Sequence, residues 1–453
     1  MRLSDIAVDI TPLRTTPEFR LLFSATALSM LGVALTSVGA SIQVYDLAHS
    51  SLHVGLVNLV IGVSLCVGLL AGGVLADRKD RRVLILATRA GSAGVVLALA
   101  GNALAPEPRL WIVYILAVAA GLAGGLGAPA LMAVMPTLVG RDQLAAAGAL
   151  LTLTTQFGAM VGPSLAGLIV AGPGVAVCYL IDAAGFVIGA ALLWRLPALY
   201  PEPDPESDVD HAAAQHPLRA ILDGLRHVRS NRVIRGLMLV DLAAVVLAMP
   251  YALFPEIGEE VFGGGPATVG LLYTAPAVGA CLGALASGWI GRDRRPGTTL
   301  VVVAAVWGLA IAAFGVTDFL WLALILLAIA GFADTISEIL RRTLLQHYTP
   351  DRLQGRVGSL WLAQATAGPA TGNALSGGVA RLIGPGATLV AGGIACVVAV
   401  AAVATAVPGL RNARPGAADD PEAESALGEK SAPPPELPST PAAGSSATHE
   451  TTT

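Results

Sequence analysis

The chain has 453 residues, of which 55% are hydrophobic and only 13% are charged, and its mean hydropathy is +0.71. This composition excludes a soluble globular domain and indicates a polytopic membrane protein. The net charge of −4 says little, because acidic residues collect in the C-terminal tail and basic residues between apolar segments. Nothing in this balance supports nucleic-acid binding.

Apolar segments long enough to cross a bilayer occur twelve times along the chain. A transmembrane helix needs about 20 residues. The segments span residues 20–45, 53–76, 83–105, 109–135, 143–170, 174–196, 233–257, 266–291, 298–316, 318–344, 357–380 and 385–408. Twelve transmembrane helices are therefore predicted.

The basic residues predict the orientation of these helices. With both termini in the cytoplasm, 25 of the 27 Lys and Arg residues fall on the cytoplasmic side, and only Arg109 and Arg381 fall outside. Basic residues are enriched in cytoplasmic loops of membrane proteins. The sequence therefore predicts an even number of helices and a cytoplasmic N terminus.

The two halves of the chain resemble each other, and a polar segment separates them. The turn at residues 136–144 recurs as residues 349–356. Such a repeat predicts an all-α fold of two pseudo-symmetric six-helix bundles around a cavity. The predicted domains are a cytoplasmic segment (1–19), a bundle (20–196), a linker with an amphipathic helix at 217–229 (197–232), a second bundle (233–408) and a disordered cytoplasmic tail (409–453).

The densest basic cluster lies between the second and third segments, where residues 72–82 read GGVLADRKDRR. Its glycines allow neighbouring helices to approach closely, its aspartate lies at a helix end, and its arginines stay at headgroup level. We predict a conformational latch made of Gly73, Asp77, Arg78, Arg81 and Arg82. The alternative is a loop whose basic residues only orient the helices.

The fifth segment combines glycines with an internal proline. Gly158, Gly162, Pro163 and Gly167 give it a flat face for close backbone contact and a bend. This suits a helix that packs tightly in one conformation and separates in another. The alternative is that Gly and Pro are simply common in transmembrane helices.

Four acidic residues lie within the apolar segments: Asp182, Asp241, Asp334 and Glu338. An aspartate at the centre of a transmembrane helix costs about 2.5–3.5 kcal/mol, so each is expected to face a wet cavity or a partner. Each is a candidate proton carrier, counter-ion for a cationic substrate, or member of a structural ion pair. For Glu338 we favour a local pair with the arginines three and four residues later.

Neutral polar side chains are weaker candidates, and Gln43, Gln156 and Gln364 are predicted to line the cavity. The histidines and cysteines show no metal-ligand or redox spacing, so no metal and no cofactor is expected. The chain has neither a G-x-x-x-x-G-K-S/T phosphate loop nor a nucleophile with a paired base. It is predicted not to be an enzyme.

Several of these stretches resemble the major facilitator superfamily, and within it bacterial exporters of the enterobactin-exporter and macrolide-efflux type. The resemblance rests on residues 41–56, the Gly/Asp/Arg loop and residues 331–357, and it spans about residues 19–408. It implies a twelve-helix facilitator fold, alternating access and proton-coupled export of a siderophore or amphipathic drug. Drug antiporters of this type often carry an arginine in helix four, where this chain has Ala117, so Asp182, Asp241 or Asp334 would have to replace it.

The predicted function is secondary active export across the inner (plasma) membrane. The expected partners are a small-molecule substrate, protons and the lipid bilayer, but no nucleic acid, and the chain is expected to be monomeric. One alternative is a non-transporting sensor or assembly partner on the same scaffold. Another is an importer of a small nutrient.

Overall fold

A computed structural model describes residues 10–140, 143–195 and 225–413 of the chain, and in this part twelve long helices make up the fold. They are α1 (Pro17–Ala48), α2 (Ser51–Arg78), α3 (Arg81–Leu104), α4 (Leu110–Leu138), α5 (Leu144–Ala171), α6 (Val175–Leu193), α7 (Arg232–Leu247), α8 (Gly265–Ala286), α9 (Pro296–Phe314), α10 (Leu320–Tyr348), α11 (Asp351–Ile383) and α12 (Pro385–Ala406). After α7, short 3-10, α and π turns continue to Val261.

Eleven of the described helical segments are long and apolar enough to cross a membrane. The twelfth helix, α11, is the longest at 33 residues but carries several polar side chains, among them Gln364, Asn373 and Arg381. The prediction of an all-helical polytopic membrane protein is confirmed, and each predicted span overlaps one of the twelve long helices.

Helix boundaries follow from local sequence. The Asp80 carboxylate accepts a hydrogen bond from the backbone N–H of Arg82 at 2.9 Å and so starts α3. The Asn231 side chain accepts the N–H groups of Val233 and Ile234 in the same way and starts α7. Gly384 lies between α11 and α12 with a φ of 83°. Residues with a side chain rarely adopt this backbone conformation, which glycine tolerates.

Small residues set the distance between α2 and α4. A Cβ atom added to Gly72 would lie 2.7 Å from the carbonyl oxygen of Leu126, and one added to Gly68 would lie 2.7 Å from that of Leu122. Lipid tails are as apolar as leucine, so close backbone contact replaces the hydrophobic effect as the reason for these helices to pack. Gly73 faces open space, so the expectation that both adjacent glycines pack against a neighbouring helix is wrong for Gly73 in this conformation.

The two ends of the molecule differ. We call the end where α2 stops at Arg78 and α3 begins at Arg81 the basic end, and the end where α1 meets α2 the opposite end. We call α1–α6 the first bundle and α7–α12 the second. Near the opposite end, α5 crosses α8. A Cβ atom on Gly167 would lie 2.6 Å from the carbonyl oxygen of Pro266, and one on Gly270 would lie 2.6 Å from that of Pro163.

Several predicted features lie outside the described residues. They are the beginning of the N-terminal segment (1–9), the turn residues 141–142, most of the linker (196–224) and the tail from residue 414. Of the predicted amphipathic helix, residues 225–229 are described and belong to a helical stretch, 225–230.

Candidate transport site

Hydrogen bonds join the two bundles at the opposite end. Tyr45 of α1 donates its phenolic proton to Glu260 at 2.8 Å, and Ser51 at the start of α2 donates to Glu256. Glu256 and Glu260 belong to the turns that follow α7. We call these two hydrogen bonds, together with the Gly167–Gly270 crossing, the opposite-end seal.

The basic end lacks a comparable seal among residues whose side chains are described. Hydrogen bonds that join the two bundles between such residues lie on the opposite-end half, where the innermost of them joins Ser164 to Thr274 at 2.7 Å. At the basic end, Gly73 of α2 and Gly355 of α11 have no heavy atom within 4 Å of an added Cβ. Among the described residues, the close contacts between the bundles therefore lie toward the opposite end.

The predicted latch residues do not bridge the bundles here. Asp77 and Arg78 are exposed, and Asp77 forms no hydrogen bond or ion pair with another described residue. The Arg81 guanidinium donates to the carbonyl oxygen of Ala133 at 3.3 Å, and Arg82 donates to that of Trp194, with its guanidinium 5.7 Å from the Trp194 ring centroid. Among the described residues, the partners of Arg81 and Arg82 belong to their own bundle, so the role of these arginines as a latch stays a prediction.

The glycines of α5 pack where the sequence pattern indicates. A Cβ atom on Gly158 would lie 3.2 Å from the backbone of Met30 in α1, and Gly162 packs directly on Ala34 one turn later. Pro163 is buried between these contacts and the crossing at Gly167. One face of α5 thus serves both packing within the bundle and packing between bundles.

A buried ion pair lies in the second bundle between α7 and α10. The guanidinium of Arg341 pairs with Asp241, and both side chains are almost fully buried. Gln364 of α11 donates to the second oxygen of Asp241 at 2.7 Å and to the carbonyl oxygen of Met238 at 3.0 Å. Asp241 is therefore a closed structural pair in this conformation, not a freely accessible carboxylate.

Asp334 lies beside this pair but is accessible. Its side chain is 47% exposed, and one carboxylate oxygen lies 3.8 Å from the Arg341 guanidinium. Arg341 thus connects a buried acid to an accessible one. Sequence reasoning placed Arg341 at the cytoplasmic surface and missed this role, although Arg341 follows Asp334 by seven residues and so lies two helical turns away on the same face.

Glu338 forms the local pair that the sequence predicts, with the second of the two arginines. Its carboxylate lies 2.7 Å from Arg342, four residues later. The Arg342 guanidinium also stacks 4.5 Å from the ring centroid of Trp361 in α11. Both members of the pair are about half exposed, so the pair contributes little to stability.

Asp182 is the candidate proton or substrate residue that lies in the first bundle, and it is 1% exposed. Thr36 of α1 donates its hydroxyl proton to one carboxylate oxygen at 2.6 Å, whereas the other oxygen, Oδ1, is buried with no hydrogen-bond partner among the described atoms. Gly32 makes room for this arrangement, because a Cβ atom there would lie 2.9 Å from the Asp182 Cα.

A cavity of about 330 Å³ lies inside the first bundle, enclosed by α1, α2, α3, α4 and α6, and Asp182 borders it. Gln43 does not line this cavity. It is buried and accepts a hydrogen bond from Tyr179 at 2.6 Å. Its predicted place in the cavity between the two bundles stays a prediction. Gln156 is half-buried on α5 and makes no hydrogen bond to another described residue.

Arg89 is a second basic residue that sequence reasoning assigned to the cytoplasmic surface. It is 8% exposed, and it donates to the Ser29 hydroxyl and, at 3.4 Å, to the carbonyl oxygen of Ala25. Both partners are neutral and belong to α1. Arg89 lies eight residues after Arg81, where α3 begins, and so it is within reach of the bundle interior, which the charge count alone overlooks.

Within the described ranges, no group of three or more His, Cys, Asp or Glu side chains is arranged to hold a metal ion.

Curated relatives match most of the chain. The protein is 36% identical over 387 residues to the "Enterobactin exporter EntS" of Escherichia coli O157:H7, which covers 85% of this chain and 91% of the relative. It is 37% identical over the same length and coverage to the protein of that name from Citrobacter koseri.

Solved structures show the same fold at low sequence identity. The nucleoside transporter NupG aligns with a TM-score of 0.68 at 13% identity, covering 86% of this chain and 98% of that one. A D-xylose–proton symporter aligns with a TM-score of 0.65 at 13% identity, covering 87% and 98%. A bacterial homologue of the human lysosomal transporter Spinster, solved in an inward-facing conformation, aligns with a TM-score of 0.63 at 16% identity, covering 87% and 96%.

The family model described as Major Facilitator Superfamily matches residues 22–361 and 242–444. This match covers well over half of the chain, and it agrees with the twelve-helix architecture and the relatives above. The chain is therefore a member of the major facilitator superfamily.

Proposed function

We propose that this protein exports a siderophore or a similar amphipathic small molecule across the inner membrane by alternating access. Relatives at 36–37% identity are named enterobactin exporters, which supports this substrate class. The same fold in transporters of other substrates supports secondary transport but does not identify the substrate.

The observation that carries the proposal is the difference between the two ends. The bundles are joined by the opposite-end seal, whereas between the described residues no comparable hydrogen bonds or close glycine contacts join them at the basic end. With the basic end in the cytoplasm, this is an inward-open state that receives substrate from the cell. Both termini then lie in the cytoplasm, and the path between the bundles is complete within a single chain in the bilayer, so a monomer suffices.

The outward-open state requires the reverse arrangement. The Gly167–Gly270 crossing separates, and the basic end closes through the latch residues, with Asp77 engaging the facing helix end. A helix N-terminus attracts an aspartate through its unpaired N–H groups. Only a ligand that binds the two states differently can shift their populations, so substrate and proton must each favour one of them.

Asp334 is the proton carrier in this proposal. It is accessible and lies 3.8 Å from Arg341, whose guanidinium also holds buried Asp241. When Asp334 is protonated, it loses its charge and the Arg341 guanidinium interacts with the Asp241 carboxylate alone. When Asp334 is deprotonated, the two carboxylates compete for the guanidinium. Because Arg341 connects α10 to α7, the proton occupancy of one acid changes the electrostatic contact between two helices.

Transport by the full chain in proteoliposomes tests the proposal. Enterobactin flux is measured with and without a pH gradient for the wild type, for Asp334→Asn, and for Asp318→Asn as a control in the exposed loop before α10. We expect gradient-driven export by the wild type and the control, and loss of the gradient dependence in Asp334→Asn. Equal gradient dependence in all three proteins would contradict the coupling role. Absence of flux for any siderophore would favour a sensor, and net uptake would favour an importer.

A further inference from the structure

We infer that Gln364 of α11 is a positioning residue that carries the effect of proton occupancy at Asp334 to the place where α2 and α11 cross. The inference rests on the proposed role of Asp334 as proton carrier. It adds the element that links this acid to the contact between the bundles, and it does not depend on the identity of the substrate.

Helix α11 belongs to the second bundle but packs closely on α2 of the first. A Cβ atom added to Gly62 of α2 would lie 2.5 Å from the Cβ of Ala370, and one added to Gly55 would overlap the carbonyl oxygen of Asn373. We call these contacts the α2–α11 crossing, which lies in the opposite-end half of both helices. The proposed outward-open state therefore requires this crossing to separate as well.

The same helix reaches the charged group of the second bundle through Gln364. Its side-chain amide donates to the Asp241 carboxylate at 2.7 Å and to the carbonyl oxygen of Met238 at 3.0 Å. Gln364 precedes Ala370 by six residues, which is about 9 Å along a helix. One side chain thus links Asp241 to a point within two helical turns of the α2–α11 crossing.

The stretch of α11 between Gln364 and the crossing is held against α7. The carbonyl oxygen of Val245 leaves no room for a Cβ atom at Gly372. One residue later, the Asn373 side chain accepts the N–H group of Ala252 at 3.0 Å. Coupling between sites travels through such contiguous packed and hydrogen-bonded contacts, so a displacement of the charged part of α7 moves this stretch of α11 with it.

The charge on Asp334 determines how Arg341 holds Asp241. Arg341 pairs with one oxygen of Asp241 and lies 3.8 Å from Asp334, while Gln364 binds the second oxygen of Asp241. When Asp334 takes up a proton, Arg341 interacts with Asp241 alone, and the position of the Asp241 carboxylate between Arg341 and Gln364 changes. Gln364 passes this change to α11 and so to the α2–α11 crossing.

The charged and titratable groups nearest to Asp334 come from its own helix and from the α7 segment. Arg341 and Glu338 lie on α10, Asp241 lies on α7, and Tyr251 lies in the turns that follow α7. Helix α8, which also packs on α10, carries two titratable side chains that are neutral at pH 7, Tyr273 and Cys281. Helix α9, which like α8 is described throughout, carries none. Arg341 is therefore the cation that responds to the charge of Asp334.

Distances between α2 and α11 at the basic end test this role as a function of pH. Spin labels at Val74→Cys and Ser359→Cys occupy exposed positions on the two helices, after replacement of the four native cysteines. Double electron–electron resonance is recorded on the full-length chain in lipid nanodiscs. Coupled sites typically shift an equilibrium by about 5–150-fold, so the ratio of open to closed molecules in the wild type should change at least about fivefold between about pH 5.5 and pH 8.

The decisive variant is Gln364→Met, which removes the donor and keeps the length of the side chain. We expect its ratio of open to closed molecules to stay nearly the same at both pH values, as in Asp334→Asn. Gln346→Met makes the same chemical change at an exposed position on α10 and is expected to keep the wild-type response. If Gln364→Met does not fold, Gln364→Asn replaces it, because its amide is one methylene shorter and cannot make both hydrogen bonds.

Three results would overturn the inference. A wild-type response in Gln364→Met would show that α11 does not receive the signal through this residue. A shift of the ratio by the same factor at both pH values, with the pH response retained, would indicate an ordinary structural hydrogen bond between helices. Absence of a response in the wild type, or its persistence in Asp334→Asn, would refute Asp334 as the proton carrier. That last failure appears in those two proteins, so it is distinguishable from a failure of Gln364 alone.

Discussion

Replacing Gly167 with alanine is expected to drive the protein away from the conformation with the opposite end sealed. The added methyl group would lie 2.6 Å from the carbonyl oxygen of Pro266 and 3.0 Å from the Cα of Gly270. These are backbone atoms, so no side chain can rotate away to relieve the contact. In a state where α5 and α8 separate at this point, the same methyl group meets no obstacle.

The size of the effect follows from packing energetics. Adding a methyl group to a tightly packed contact costs about 1–3 kcal/mol. Because 1.4 kcal/mol corresponds to a factor of ten, the ratio of sealed to unsealed molecules should fall by about fivefold to 150-fold. The change in helix propensity from Gly to Ala acts on both conformations and largely cancels.

Distances between the bundles at the basic end report this ratio. Spin labels at Ala145→Cys, near the start of α5, and at Gly291→Cys, after α8, occupy exposed positions in different bundles. The four native cysteines are replaced beforehand. Double electron–electron resonance should show the long basic-end distance depleted and a shorter one enriched in Gly167→Ala.

The matched control is Gly94→Ala on α3, where an added Cβ has no heavy atom within 4 Å. This variant should keep the wild-type distance distribution. If Gly167→Ala also keeps it while the protein remains folded, α5 and α8 do not separate during the cycle. The assignment of the sealed end as a gate would then be wrong.

Three further outcomes are expected. Asp77→Ala should insert normally but lose efflux in a proteoliposome assay, because the basic end can no longer close; wild-type flux would refute the latch. Asp241→Asn or Arg341→Met alone should lower stability, measured by thermal unfolding, by about 3–5 kcal/mol, since each leaves a buried partner uncompensated. The double variant Asp241→Leu/Arg341→Met should recover most of this lost stability. Equal losses in the single and double variants would contradict the pairing. Glu260→Gln keeps an acceptor for Tyr45 but removes the negative charge of that acceptor, so the seal should weaken by about 1 kcal/mol. The basic-end distances should then shift in the same direction as in Gly167→Ala. Unchanged distances would show that the seal does not depend on that charge.

The sequence predicted the fold because its signals are local. Runs of about 20 apolar residues and the glycine pattern of α5 depend only on neighbouring positions. Gly158 and Gly162 pack on α1 and Gly167 crosses α8, as a flat helix face requires. The polar side chains of α11 lower its hydropathy, which is the signal for a membrane span, but they do not shorten the helix.

The interior of the bundles was predicted less well, because its contacts join distant parts of the chain. The partner of Asp241 is 100 residues away in sequence, so no spacing rule within α7 could identify it. Counting charges at helix ends treated Arg89 and Arg341 as surface residues, although both are buried. Gln43 is a further case, because the hydrogen bond that it accepts comes from Tyr179, which is 136 residues away in sequence.

The separation of Asp241 from Arg341 also has a consequence for biogenesis. A ribosome adds about 5–20 residues per second, so the 100 residues between them take about 5–20 s to synthesise. During that interval α7 carries an acid whose counter-charge does not yet exist, at a cost of about 2.5–3.5 kcal/mol if it enters the lipid alone. Newly made α7 is therefore expected to stay beside the translocon until α10 is synthesised. The helices of the second half would then assemble together, after α10 supplies Arg341.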